Sequence, residues 1–129
     1  MLPPNLDVKT GVTVTLDLPY PPSINHYWRR VGARTILSRK GREYRARVLA
    51  QLGMATEPAL RGPLAVEIKV SAPDRRRRDL DNVLKALLDA MQHANVYVDD
   101  SQVVWLLVEK HPPRDGGSVQ VTITELQKW

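Results

Sequence analysis

The chain has 129 residues, 43% hydrophobic and 26% charged, with a net charge of +5, the size and balance of one globular domain with a real core. It contains no cysteine, which excludes disulfides, thiolate zinc sites and a thiol nucleophile and fits a reducing cytoplasm. No apolar run approaches the ~20 residues of a membrane span, and the opening MLPPNLDVKTG lacks the basic start and apolar middle of a secretory signal, so none is expected.

Residues 1–11 read as a loose arm and 12–129 as the folded domain. From Val12 to Leu18 apolar and polar residues alternate strictly, the pattern of a half-exposed strand. Pro19, Pro21 and Pro22 then forbid regular structure, and Asn25 to Arg30 reads as a loop mixing stacking groups with cations. A short extended piece near Arg34 to Leu37 leads to Ser38, an N-cap. The helix from there to about Met54 buries Tyr44, Val48, Leu49 and Leu52 and carries Arg39, Arg42, Arg45 and Arg47 on its other face. Leu64 to Ala72 alternates as a second strand. A charged loop follows, then a helix from about Asn82 to His93 whose Val83, Leu84, Leu87, Leu88 and Met91 form a core-facing stripe. Val96 to Val98 reads as a short extended piece. Val103 to Val108 is apolar on both faces and is therefore expected as an interior strand with Trp105 in the core. After a turn at Pro112 to Gly117, Val119 to Leu126 is the last alternating strand. The expected fold is α/β (α+β): a single domain with a mixed sheet and two main helices packed on it.

Charge is concentrated rather than spread. Of 19 Lys and Arg residues, eight lie between Arg29 and Arg47, and Arg75, Arg76, Arg77 and Arg78 are consecutive. That is the footprint of a phosphate-binding surface, although the first group taken alone also fits a solvated helical face. Asp79 and Asp81 border the four arginines, and Asp99 and Asp100 follow about twenty residues on. Residues two apart diverge by ~200° inside an α-helix but share a face in extended chain. Asp79 and Asp81 therefore cooperate only if the helix begins at or after Asp81, with Asp81 as N-cap. Lys85 then rises from the next turn on the same side. Three carboxylates without histidine or thiol form a hard oxygen site that suits Mg²⁺ or Mn²⁺ and disfavours Zn²⁺. For a bare D-x-D, a helix cap plus a partner for the arginines is the commoner account, as a turn is for Asp99-Asp100. The coincidence of all these groups beside the basic cluster favours a site. His26, His93 and His111 have no metal-ligand spacing and read as surface or boundary residues. Tyr27 and Trp28 fit either stacking on an unpaired base or burial against the sheet.

The segment PDRRRRDLDNVLKALLDAMQHANVYVDDSQV, Pro73 to Val103, closely resembles the RusA family of Holliday junction resolvases, often carried by phages and prophages. PPSINHYWRR, Pro21 to Arg30, is similar to that family's N-terminal P-P-S-x-N motif, and GGSVQVTITE to its last strand. The likeness spans roughly residues 12–126. It implies that Asp79, Asp81 and Asp100 are catalytic, metal-holding acids and Lys85 a functional lysine, which either stabilises charge on the scissile phosphate or orients an acid. It places Asn82 and Arg75 to Arg78 around the junction, with Asn25, Arg29 and Arg30 among the DNA-binding residues. It leaves Asp99 a neighbour of undecided role. It further implies a homodimer on a four-way DNA junction, cutting two opposed strands with Mg²⁺-activated water. One departure stands out: where glycine is expected after the helix, the chain has His93-Ala94-Asn95, and asparagine tolerates the left-handed conformation. The competing readings are a non-catalytic nucleic-acid-binding phage protein and a metal-dependent nucleotide hydrolase. Four adjacent arginines argue against the latter, because a mononucleotide cannot engage so broad a surface.

Overall fold

The computed structural model describes residues 2–53 and 55–129. A four-stranded mixed sheet carries the fold. Its strands are β1 (Val8–Leu18), β4 (Leu64–Ser71), β5 (Val103–His111) and β6 (Ser118–Leu126), in the order β1-β6-β4-β5. β6 pairs antiparallel with both β1 and β4, whereas β4 and β5 are parallel and so need a crossover between them. That crossover is α3 (Leu84–His93), entered through a 3₁₀ turn over Leu80–Val83 and left through another over Asp100–Gln102. Between β1 and β4 the chain forms α1 (Ile24–Tyr27), a hairpin of β2 (Trp28–Val31) and β3 (Arg34–Leu37), and α2 (Arg39–Leu52). The mixed sheet with helices on it matches the expected class.

The helices cover one face of the sheet. Val66, Ile68 and Val70 of β4 and Val119, Val121 and Ile123 of β6 pack with Tyr44 and Val48 of α2 and with Ala86, Leu87, Ala90 and Met91 of α3, all buried. Burial of each larger apolar side chain contributes roughly 1.5–3 kcal/mol, which is why the two alternating strands and the α3 stripe dominate the fold. The opposite face stays polar, with Thr13, Thr15, Asp17, Lys69 and Gln120 exposed.

Several boundaries differ from expectation for identifiable reasons. β1 begins at Val8, inside the segment read as an arm, because Val8 pairs with Leu126 across a register irregularity. Asn25 lies in the short α1 rather than in a loop, since the Ser23 carbonyl accepts from the N–H groups of His26 and Tyr27. The helix end expected at about Met54 falls outside the described residues; α2 closes at Leu52, with the Gly53 N–H donating to Leu49. β5 is an edge strand, not an interior one: among the described residues it pairs with β4 alone. Its two-sided apolar pattern arises because Trp105 and Leu107 stand in register with Ala65 and Glu67 on the outer face. Trp105 is therefore only half-buried and not a core residue, and Leu106 and Leu107 are exposed. The turn at Asn95 does adopt the left-handed conformation, φ 61°, and the Asn95 side chain donates to the Ala55 carbonyl at 2.7 Å.

α1, α2 and α3 meet at one oxygen. Tyr27 of α1 donates to Asp89 Oδ2 of α3, and Arg45 of α2 reaches the same atom through Nε at 2.9 Å and Nη2 at 2.8 Å. Burial, reinforced by the hydrogen bond to Asp89, pushes the Tyr27 phenol well above its usual pKa, so it stays a donor. Arg45 is thus a half-buried strut and not part of the exposed face on which it was expected. Gly41 permits this packing: a β-carbon there would sit 2.5 Å from the Tyr27 carbonyl oxygen and 2.7 Å from Leu37 Cδ1. Glycine-to-alanine changes inside helices ordinarily stabilise by ~0.5–1 kcal/mol. Gly41→Ala is expected instead to destabilise by about 1–3 kcal/mol through overpacking, read as a lower Tm; a raised Tm would show that α1 and α2 are not in close contact.

Candidate active site

Asp79 is the extended residue before the 3₁₀ turn, and its side chain makes no capping hydrogen bond. Asp81 lies within that turn, and the Leu84 N–H donates to its carbonyl. Asp81 is therefore not the helix N-cap expected from the sequence. The 3₁₀ turn takes up the start of the apolar stripe, and regular α-helix begins two residues later than predicted. The acids are still not placed two apart inside an α-helix, the arrangement that would have separated them. Both are exposed, and neither has an ion-pair partner among the described residues.

Asp100 is brought to the same helix by the chain's return along α3. The Tyr97 hydroxyl donates to the Leu88 carbonyl at 2.6 Å, and the Asp100 N–H donates to Gln92 Oε1 at 2.9 Å. The Asp100 carboxylate lies 3.7 Å from Lys85 Nζ. Leu88, Gln92 and Lys85 recur at helical spacing, so this segment runs along one flank of α3. Asp99, whose role the sequence left undecided, caps the turn: its Oδ2 accepts from the Ser101 N–H at 3.0 Å, and the Gln102 side chain accepts from the Asp99 N–H at 2.8 Å. The Ser101 hydroxyl and N–H hold the Asp99 carboxyl below the usual range. Gln102 also bonds Val98 N–H and the carbonyls of Leu60 and Gly62. Asp99 thus caps the 3₁₀ turn that begins at Asp100.

Lys85 and Asp100 are thus in contact, with Asp81 one turn before Lys85. Among the described residues, no group of three or more His, Cys, Asp or Glu stands close enough together to hold a metal ion; the Asp100 carboxylate is turned to Lys85.

Asp79 and Asn82 also line a cleft of about 580 Å³. Its lining comes from the arginine loop through Arg76, Arg77 and Arg78, from α2 through Lys40, Glu43, Tyr44 and Arg47, and from the segment Tyr20 to Ser23 with His26. Lys40, Glu43, Tyr44 and Arg47 follow i, i+3, i+4, i+7 spacing and could have been read as one face. The sequence reading missed Lys40 because it took the basic residues of α2 as one undivided surface. Asn25, Arg29, Arg30 and Arg75 do not line the cleft, and all four are exposed, Asn25 in α1 and the next two on β2.

The arginine loop has an anchor that sequence reasoning overlooked. Asp74 Oδ1 accepts from the Arg76 N–H at 2.9 Å and from Arg78 Nη1 at 2.6 Å. Arg78 also covers the Tyr20 ring at 5.9 Å, and its carbonyl accepts from Lys110 Nζ at 2.8 Å. An aspartate directly before a basic run was the available signal, since Asp commonly bonds the backbone two residues on.

An exposed basic cleft with the unpaired carboxylate of Asp79 in its lining has the make-up of a nucleic-acid-processing site on a small α+β domain. Comparison with known proteins agrees. Residues 19–124 match the family model described as Endodeoxyribonuclease RusA. The chain is 43% identical over 115 residues to the crossover junction endodeoxyribonuclease RusA of Enterobacteria phage 82, covering 88% of this chain and 96% of that protein. The same figures hold for the protein of that name from Escherichia coli K12. The protein of that name from Enterobacteria phage HK97 is 41% identical over 113 residues, covering 85% of this chain and 92% of its own. The chain belongs to the RusA family of endodeoxyribonucleases.

The hydrogen bond from Arg78 and then that from the Arg76 N–H hold the Asp74 carboxyl down at about 2. Because the folded value lies below the unfolded one, this latch is fully present above the unfolded carboxylate range and is lost as pH falls through about 2. Side-chain carboxyl NMR should therefore show Asp74 ionised from neutral pH down past pH 3. An ordinary midpoint near 3.8, the unperturbed value, would mean that the latch is not formed.

Proposed function

We propose that this chain is a cytoplasmic crossover junction endodeoxyribonuclease that resolves four-way Holliday junctions in recombination and repair, as a homodimer that nicks two opposed strands, with Mg²⁺, or Mn²⁺ in its place, as cofactor. One observation carries the reading: unpaired Asp79 opens onto a cation-walled cleft, while Asp100, from a distant segment, is held against the same helix by Lys85 and Gln92. A protein that only binds DNA has no use for carboxylates on that rim, since they repel phosphate.

Family membership implies a divalent metal, and the donor chemistry suits one, although the three acids do not stand together in the free protein and would have to converge on it. Asp79, Asp81 and Asp100 offer only oxygen, the chemistry of a hard cation. Asp79 and Asp81 have no cation to displace. Asp100 has one, Lys85, in a pair whose side chains are 48% and 29% exposed, an interaction worth about 0–1 kcal/mol and easily exchanged. These three acids would hold the ion, which when bound polarises a phosphoryl oxygen and lowers the pKa of a water. Lys85 orients Asp100 in the free protein, and its ammonium lies where a phosphate beside the acids would need a counter-charge. Arg75, Arg76 and Arg77, on the stem that Arg78 forms with Asp74, grip the sugar-phosphate backbone, which positions the strand without reading its sequence.

Two symmetric cuts call for two equivalent sites, which a C₂ dimer supplies. The unpaired edge of β5, with Leu106 and Leu107 exposed, supports association, because monomeric proteins usually blunt such an edge. Among the described residues no helix is long and apolar enough to cross a membrane.

Asp81→Asn separates catalysis from binding. Removing even an outer partner of a metal ligand costs up to ~100-fold, so cleavage of a mobile four-way junction in Mg²⁺ should fall by more than that. Junction binding in a gel-shift assay should persist or tighten as repulsion of phosphate falls. Wild-type cleavage by Asp81→Asn would remove Asp81 from the catalytic set.

A further inference from the structure

Resting on that nuclease reading, we propose that the cleft between α2 and the arginine loop is a single-strand subsite. It takes one or two nucleotides of backbone next to the scissile phosphate, with Lys40 and Arg47 as phosphate-binding residues opposite Arg76 and Arg77.

Three observations lead there. The first is size: about 580 Å³ lies within the ~300–1,000 Å³ of pockets that enclose one small molecule. It holds a nucleotide or two but not a duplex, whose major groove alone is ~12 Å wide. The second is charge. Lys40 and Arg47 are exposed, and among the described residues neither they nor Arg77 is in an ion pair. The one carboxylate on the α2 wall, Glu43, is answered by Arg39 at 3.0 Å. Unpaired Lys40, Arg47 and Arg77, together with Arg76 on its exposed pair with Asp74, therefore line one cleft from elements distant in sequence. The third is what the cleft lacks. Tyr44 is buried with its hydroxyl donating to Pro19 O at 2.7 Å, and the Tyr20 ring is covered by Arg78. The two tyrosine rings are thus taken up. That leaves the exposed His26 imidazole, hydrogen-bonded to Ser23, as the one aromatic ring in the lining open to a base, so the cleft grips chiefly by phosphate and tolerates any sequence.

Asp79 and Asn82 lie in its lining, so a strand in the cleft is delivered to the acids. A strand can enter only where it has left its duplex, as at the crossover of a branched junction. The cleft thereby couples cleavage to branching, while the exposed arginines outside it bind any DNA.

The test is a double-mutant cycle between protein and substrate. Mobile four-way junctions carry a single neutral methylphosphonate one or two linkages to either side of the cut, and are cleaved in Mg²⁺ by the wild type and by the double variant Lys40→Ala, Arg47→Ala. Both residues are surface-exposed, and an unchanged Tm confirms folding. The variant and the neutral linkage should each slow cleavage roughly tenfold, the ordinary worth of one charge-assisted hydrogen bond. At one flanking position their effects should not multiply, and duplex affinity should change less than twofold. Multiplying penalties at every position, a variant that cleaves like wild type, or an equal loss of duplex affinity would each overturn the subsite. The same junction cleaved by Asp81→Asn keeps the two claims apart: an inactive Asp81→Asn beside a fully active cleft variant rejects the subsite alone.

Discussion

The docking of residues 97–102 along α3 is the constraint on which the proposed site depends, because it brings Asp100 from the mouth of β5 against Lys85 on the helix. Hydrogen bonds fix it more than charge does. The Lys85–Asp100 pair is half-exposed and weak. The Gln102 side chain, by contrast, joins Val98, Asp99, Leu60 and Gly62, and Gln92 holds the Asp100 N–H. Each such bond contributes about 0.5–1.5 kcal/mol net, so together they outweigh the ion pair. The backbone at Asp100 is pinned, while its carboxylate is held only by the exposed pair with Lys85.

The arginine loop divides its labour in a similar way. Four adjacent like charges favour an open, mobile segment, and Asp74 offsets this by tying down Arg78 and the Arg76 backbone. With Arg78 also against Tyr20 and its carbonyl held by Lys110, the loop has a fixed stem. Arg75 and Arg77 are exposed and have no ion-pair partner among the described residues. On the far wall, the Tyr27–Asp89–Arg45 junction and the close approach at Gly41 lock α2 in place. The cleft is thus built between two stiff supports.

Much of this was legible in the sequence, and the failures share a cause. Alternation located β4 and β6, the apolar stripe located α3, and Ser38 caps α2 as its chemistry suggests, with its hydroxyl accepting from Gly41. Asn95 took the left-handed turn that asparagine permits. Local pattern cannot show which strands are neighbours, so β5 reads as interior although it lies at the edge, and Trp105 as core although it is only half-buried on the face away from the helices. Nor can it show how a helix starts when a 3₁₀ turn intervenes, which displaced Asp81 from the cap. The acids and arginines stood out because they are adjacent in the chain. Lys40 and Arg47 did not, because their significance comes from a wall supplied by residues some thirty positions away.

The central claim is that acids from separate segments share one hard cation beside a DNA-gripping wall. A crystal grown with Mn²⁺ and imaged by its anomalous signal tests this most directly. The account predicts one peak within about 2.0–2.2 Å of carboxylate oxygens from Asp79, Asp81 and Asp100, with Asp100 released from Lys85. A Mn²⁺ site elsewhere, or one in which Asp100 stays on Lys85 and takes no part, would contradict it.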